Sequence, residues 1–184
     1  MSKRTHAAAA GLAVGRASAS AESWREPALL AAIATLALAA GCLVYLTDRG
    51  LVPTASMSLI AALAGSIGFG ALGLWLPSFV HAFSFSLLSA AALPSRARPR
   101  YGACLVWAVV NVAFEVGQHP SLSTGLAALV QDRLGTMPPA PMLALYFVHG
   151  TFDWSDIAAA LLGALAAGAV LRFLPRRQEH RNDA

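Results

Sequence analysis

Charge is scarce in this chain. Asp, Glu, Lys and Arg make up only 12% of its 184 residues against 57% that are hydrophobic, and the mean hydropathy is +0.61. An ordinary soluble domain carries about twice that charged share, so a membrane protein is expected instead. Cysteine is nearly missing. Cys42 and Cys104 both lie in apolar runs, where each behaves as a small hydrophobe, and no disulfide framework follows from them. Aromatic residues amount to 8% and do not interleave with basic ones. The pI near 9.7 therefore points to lipid topology and excludes a nucleic-acid groove. Ser-His-Asp, His-Glu-x-x-His and phosphate-loop signatures are absent as well, and so is any internal repeat.

What the chain does contain is a series of lipid-length apolar segments. Residues 1–26 are small, polar and basic, with too little large apolar content to offset ordering entropy, and are expected to form a cytoplasmic tail. A helical domain is expected over 27–175 and a second basic tail over 176–184. The first span covers 28–46, long enough at about 1.5 Å per residue for a hydrocarbon core, with Trp24 and Tyr45 as interfacial anchors. "LALAAGC", ending at Cys42, loosely resembles a lipoprotein cleavage box. Ala39 in place of Leu and the apolar "LVYL" that follows favour a retained helix over lipidation.

The apolar stretch Met57 to Leu93 is too long for one helix. Its second half, "SFVHAFSFSLLSAAAL", predicts a helix that Pro77 starts at its first turn. Its first half carries Gly65, Gly68, Gly70 and Gly73. A third span is expected over 101–118. Residues 121–135 place Leu122, Leu126, Leu129, Val130 and Leu134 at helical spacing and suit a helix lying in the interface. "MPPAP" interrupts it, and the last span is expected from Asp153 to about Phe173.

Cytoplasmic loops carry the excess of Lys and Arg. Four spans with the N-terminus inside place eleven of the thirteen basic residues on the cytoplasmic side and leave Arg49 and Arg133 outside. A fifth span over 57–76 would carry Arg96, Arg98 and Arg100 outward. The expected fold is therefore an all-α polytopic bundle of four transmembrane helices plus a Gly-rich re-entrant or interfacial segment, in a cell (inner) membrane with both termini cytoplasmic. The glycine spacing serves equally well for close helix packing.

This threading levels several polar side chains. With Arg96, Tyr101 and Arg172 at the inner interface, helix rise sets His81, Glu115 and Asp156 at roughly 22, 21 and 24 Å above it. Asn111, Glu115 and Gln118 fall at i, i+4 and i+7 on one face, and Asp153 sits just above Asp156. Charged groups at such depth cost at least about 2.5–3.5 kcal/mol each, so they usually face each other or a wet cavity. A binding site of His81, Asn111, Glu115, Gln118, Asp153 and Asp156 is the sharp reading. The plainer readings stand beside it: Asp153 as N-cap with Asp156 at N3, His81 as a bundle hydrogen bond, and Glu115 and Gln118 snorkelling. His119, His149, Ser84 and Ser86 are expected in local hydrogen bonds, and Phe79, Phe83 and Phe85 in packing.

The ordered motifs "SFVHAFSF", "FEVGQ" and "DIAAALLG" resemble those of the VanZ-like membrane proteins over roughly residues 77–173. The resemblance implies a small helical membrane fold with site positions at His81, Glu115, Gln118 and Asp156 and a glycine at Gly163. Two positions depart from the family pattern: Ala160 stands where Asn is frequent, and Gly150 where Arg is frequent. The family's molecular activity is poorly defined, so a fold is implied more than a reaction.

An accessory factor that binds a lipid head group, an envelope precursor or a cation is the first functional expectation. A site with three carboxylates prefers an amine, a proton or a cation to bare phosphate, or a Mg or Ca ion bridging to phosphate. The alternatives are a membrane hydrolase or transferase with His81 as base, and a structural subunit docking through the Gly-rich segment. No cofactor is implied, and the bilayer is the expected partner.

Overall fold

The computed structural model describes residues 24–48, 70–135 and 137–174. Among them are six helices and no strand: α1 Arg25–Asp48, α2 Ala71–Ala92, α3 Ala97–Gly117, α4 Ser123–Leu134, α5 Ala140–His149 and α6 Trp154–Phe173. The stretches Arg25–Tyr45, Gly73–Ala92 and Trp154–Phe173 are long and apolar enough to cross a membrane. The chain is an all-α membrane protein. The span expected over 101–118, α3, is 21 residues long and packs against α2 and α6. Arg98, Arg100 and Glu115 reduce its apolar content, so its place in the bundle rests on packing more than on hydropathy.

Alternating faces of α1 show how the sequence orients a helix between protein and lipid. Leu30, Ala34, Gly41 and Val44 form a buried stripe, while Leu29, Leu36 and Leu43, seven residues apart, stand exposed. Lipid tails are as apolar as leucine, so the large side chains can face outward while small ones allow helices to approach. The same rule populates the core with Ala34, Ala90 and Ala167 around Leu30, Leu87, Cys104 and Leu171.

Helix α2 is the central element, in contact with α1, α3 and α6. Its start differs from the expectation of a helix beginning at Pro77. Gly70, at φ 54°, precedes the first residue, and Pro77 lies inside the helix. Proline lacks the N–H that would bond the carbonyl four residues back, and its ring crowds that carbonyl. Residue 73 is a glycine, which brings no side chain of its own to that crowded turn. The rest of the Gly-rich segment, residues 57–69, lies outside the described residues, as does the docking surface expected there.

Two contacts establish the threading. Arg100 at the start of α3 pairs with Glu26 at the start of α1 and donates to the Leu93 carbonyl beyond the end of α2, at 3.5 Å. At the opposite end Ser78, early in α2, meets Asp156, early in α6. Helices α1 and α3 therefore run one way and α2 and α6 the other, as the arginine distribution predicts. Arg25 and Glu26, expected in the N-terminal tail, belong to α1. Burial of Arg100 gives Glu26 a partner and anchors the helix start.

Between α3 and α6 the chain makes a helical hairpin, α4 against α5. The helix expected over 121–135 is α4, with Leu129 and Leu134 exposed on it and Leu122 exposed at its N-cap. Helix α5, "APMLALYFVH", was not expected: its ten residues, which follow a proline pair, are too short to span.

Helices α2 and α6 approach closely because Gly163 has no side chain. A Cβ there would lie 2.2 Å from the Phe79 carbonyl oxygen, a backbone atom that cannot rotate away. Gly163→Ala is expected to destabilise the bundle by about 1–3 kcal/mol, as overpacked sites do. Gly168→Ala, whose Cβ would stand at an ordinary 3.9 Å from the Tyr101 ring, is expected to be nearly neutral. Reversible unfolding of both variants in detergent, monitored by circular dichroism, checks this contrast.

Candidate functional site

At the α6 start, Asp153 takes an extended backbone and accepts the Ser155 N–H at 2.8 Å, which is the N-cap geometry. This bond holds the exposed Asp153 carboxyl below its usual value. The capping position leaves Asp156 in the first helical turn, facing α2, where Ser78 donates to it at 2.8 Å. On α3, Glu115 is buried and accepts the Asp153 backbone N–H at 2.7 Å. Three separate segments are thus tied by two carboxylates: Asp156 joins α6 to α2, and Glu115 joins α3 to the turn before α6.

One helical turn below Glu115, Asn111 donates its amide to the carbonyl of Trp107 in its own helix at 2.7 Å, which leaves its amide oxygen as an acceptor. One turn after Ser78, the His81 ring lies 4.8 Å from that of Phe85, and Phe85 stacks in turn on Trp107. His81 hydrogen-bonds to neither Glu115 nor Asp156, so no histidine–carboxylate dyad is formed. The phenylalanines expected in packing do pack: Phe79 stacks on Phe83 at 5.9 Å.

These groups surround one small cavity of about 120 Å³, lined by Pro77, Ser78, His81, Asn111, Phe114, Glu115, Tyr146, Asp156 and Ala160. Four of the six residues expected in a site line it: His81, Asn111, Glu115 and Asp156. The other two flank it. Gln118 is buried behind the wall, with its side chain against Gly150. A Cβ at residue 150 would sit 2.1 Å from the Gln118 amide oxygen, so glycine at this position and the orientation of Gln118 are coupled. Asp153 points to solvent as a cap and reaches the site only through its backbone N–H.

Pro77, Ser78, Phe114, Tyr146 and Ala160 complete the wall, none of them among the expected site residues. Ser78 and Phe114 were within reach of sequence reasoning, since each stands three residues from a site residue on its own helix and i,i+3 neighbours share a face. Tyr146 comes from α5, a helix with no sequence signal strong enough to place it.

No lysine or arginine lines the cavity. Glu115 and Asp156 line the same small cavity, which leaves an acceptor-rich space suited to a cationic hydrogen-bond donor or a shared proton. Among the described residues no group of three or more His, Cys, Asp and Glu side chains is placed to hold a metal ion. The bridging divalent ion considered from sequence loses its third carboxylate because Asp153 turns outward to cap α6.

No family model, curated protein or solved structure matches this chain. The chemistry of the pocket therefore rests on its own residues.

Asp153→Ala is expected to lower the melting temperature at neutral pH, with Asp153→Asn close to wild type because an amide oxygen also caps. The sign with pH follows from the lowered value of the folded carboxyl. Its stabilisation is present above the ordinary aspartate range and is lost as pH falls through the folded value. The gap between wild type and Asp153→Ala should narrow on acidification, and melting curves across the acid range test it.

Proposed function

We propose that this protein is a multi-pass membrane protein that binds the ammonium end of a lipid head group or envelope precursor in the pocket between α2, α3, α5 and α6, as an accessory factor. The observation that carries this reading is the convergence of His81, Asn111, Glu115 and Asp156 on one cavity with no basic residue in its wall. Two carboxylates and an amide oxygen offer acceptors to an ammonium group, whereas bare phosphate would meet like charge. A space of about 120 Å³ admits a single small polar group and excludes a bulky one.

The VanZ-like reading belongs to this proposal. It is supported by the meeting of the three motifs that carry the resemblance: His81 of α2, Glu115 of α3, and Asp156 with Gly163 of α6. The proposed orientation has both termini in the cytoplasm of a cell (inner) membrane and the pocket toward the extracytoplasmic leaflet, and it is supported by Arg96, Arg98, Arg100 and Arg172 gathering at the end away from the pocket. A hydrolase or transferase has less support, since His81 is not hydrogen-bonded to either acid.

The test uses purified protein in phosphatidylcholine nanodiscs, titrated with methylammonium and separately with inorganic phosphate by calorimetry. Methylammonium is expected to bind wild type, to bind Glu115→Gln at least tenfold more weakly, a loss of about 1.4 kcal/mol or more, and phosphate to bind neither of them. Equal methylammonium affinity in wild type and Glu115→Gln rejects the reading.

A further inference from the structure

A second cavity adjoins the polar one. It is a groove of about 360 Å³ between α1 and α2, lined by Leu38, Gly41, Cys42, Tyr45, Pro77, Val80 and His81. Pro77 and His81 line both spaces, so an apolar groove along α1 lies beside the acidic pocket with these two side chains in common. The groove exists because α1 meets α2 through a glycine: a Cβ at residue 41 would lie 2.8 Å from a Val80 methyl. From Leu38 to Tyr45 it extends about 10 Å along the helix axis. A larger apolar groove lies between α3 and α6, yet it shares no lining residue with the pocket and ends at Arg172 and Phe173.

Resting on the binding reading above, we infer that the ligand is a membrane lipid whose head group ends in a primary ammonium, held with the ammonium between Glu115 and Asp156 and one acyl chain in the α1–α2 groove. The match is one of charge and of shape. The acidic end accepts the ammonium hydrogens, and the apolar end accepts a tail that leaves the bilayer sideways. His81 stands at the junction, where the phosphodiester of such a lipid would lie. Its imidazole has no hydrogen-bond partner among the described residues and can donate an N–H there. A trimethylammonium head has the charge but no N–H to give these acceptors. Because the tail moves from lipid to a lipid-like wall, the groove adds little affinity. Its role is to let a tailed molecule present its head to the pocket.

Two measurements test the inference. In nanodiscs of equal phosphatidylethanolamine and phosphatidylcholine, native mass spectrometry is expected to show phosphatidylethanolamine retained at least tenfold over phosphatidylcholine. With a diazirine on the acyl chain of phosphatidylethanolamine, crosslinks on wild-type protein are expected on residues 38–45. Crosslinks confined to residues 161–173, or equal retention of the two lipids, overturn it. Cys42→Trp and Leu38→Phe fill the groove from adjacent turns. Both should lose phosphatidylethanolamine retention while keeping wild-type methylammonium affinity, which also reports an intact pocket. Retention unchanged in both variants counts against the groove alone. If methylammonium fails to distinguish wild type from Glu115→Gln, it is the underlying binding reading that falls.

Discussion

The contact of Gly163 with the backbone of α2 at Phe79 is the constraint on which the site depends. Two helices running in the same direction can bring side chains near their starts together only if their backbones approach closely, and a hydrogen in place of a methyl group permits that. Once α6 is seated there, Asp156 lies opposite Ser78, and the Asp153 N–H is brought to Glu115. The polar bonds then follow from packing. They do not cause it, since a carboxylate buried among apolar helices is costly until its partners are in place.

The two ends of the bundle use buried charge differently. At one end Arg100 is matched by Glu26 and by oxygens of Leu93 and Ser95, a nearly closed set that fastens α1, α2 and α3. At the other end carboxylates outnumber cations, and their partners are a hydroxyl and a backbone N–H. Matched charge fastens helices; unmatched charge beside a cavity is capacity for a ligand.

Much of the bundle was legible in sequence because membrane insertion reads simple properties. Hydropathy and length located α1, α2 and α6, and the arginines ordered their directions. The i, i+4, i+7 stripe on α3 placed Asn111 and Glu115 on the pocket face, and Asp153 read correctly as a cap. Pro77 misled, because a proline that is best tolerated at a helix start can also stand inside a helix. Gln118 shared the stripe but bends away at the helix end to meet α5. Helix α5 itself was illegible, being too short for the length rule.

By itself, then, the sequence determined the solvent of this protein, the axial height of its ionisable side chains and the face each one occupies, since these depend on hydropathy, rise per residue and helical period. Only the tertiary structure decided which faces meet, that Asp153 turns out while Asp156 turns in, and that the polar pocket shares lining residues with the α1–α2 groove and not with the α3–α6 one. The reason is that lateral helix packing depends on the fit of small residues such as Gly41, Gly150 and Gly163 against particular neighbours, and that fit is a property of pairs of surfaces that no single helix carries.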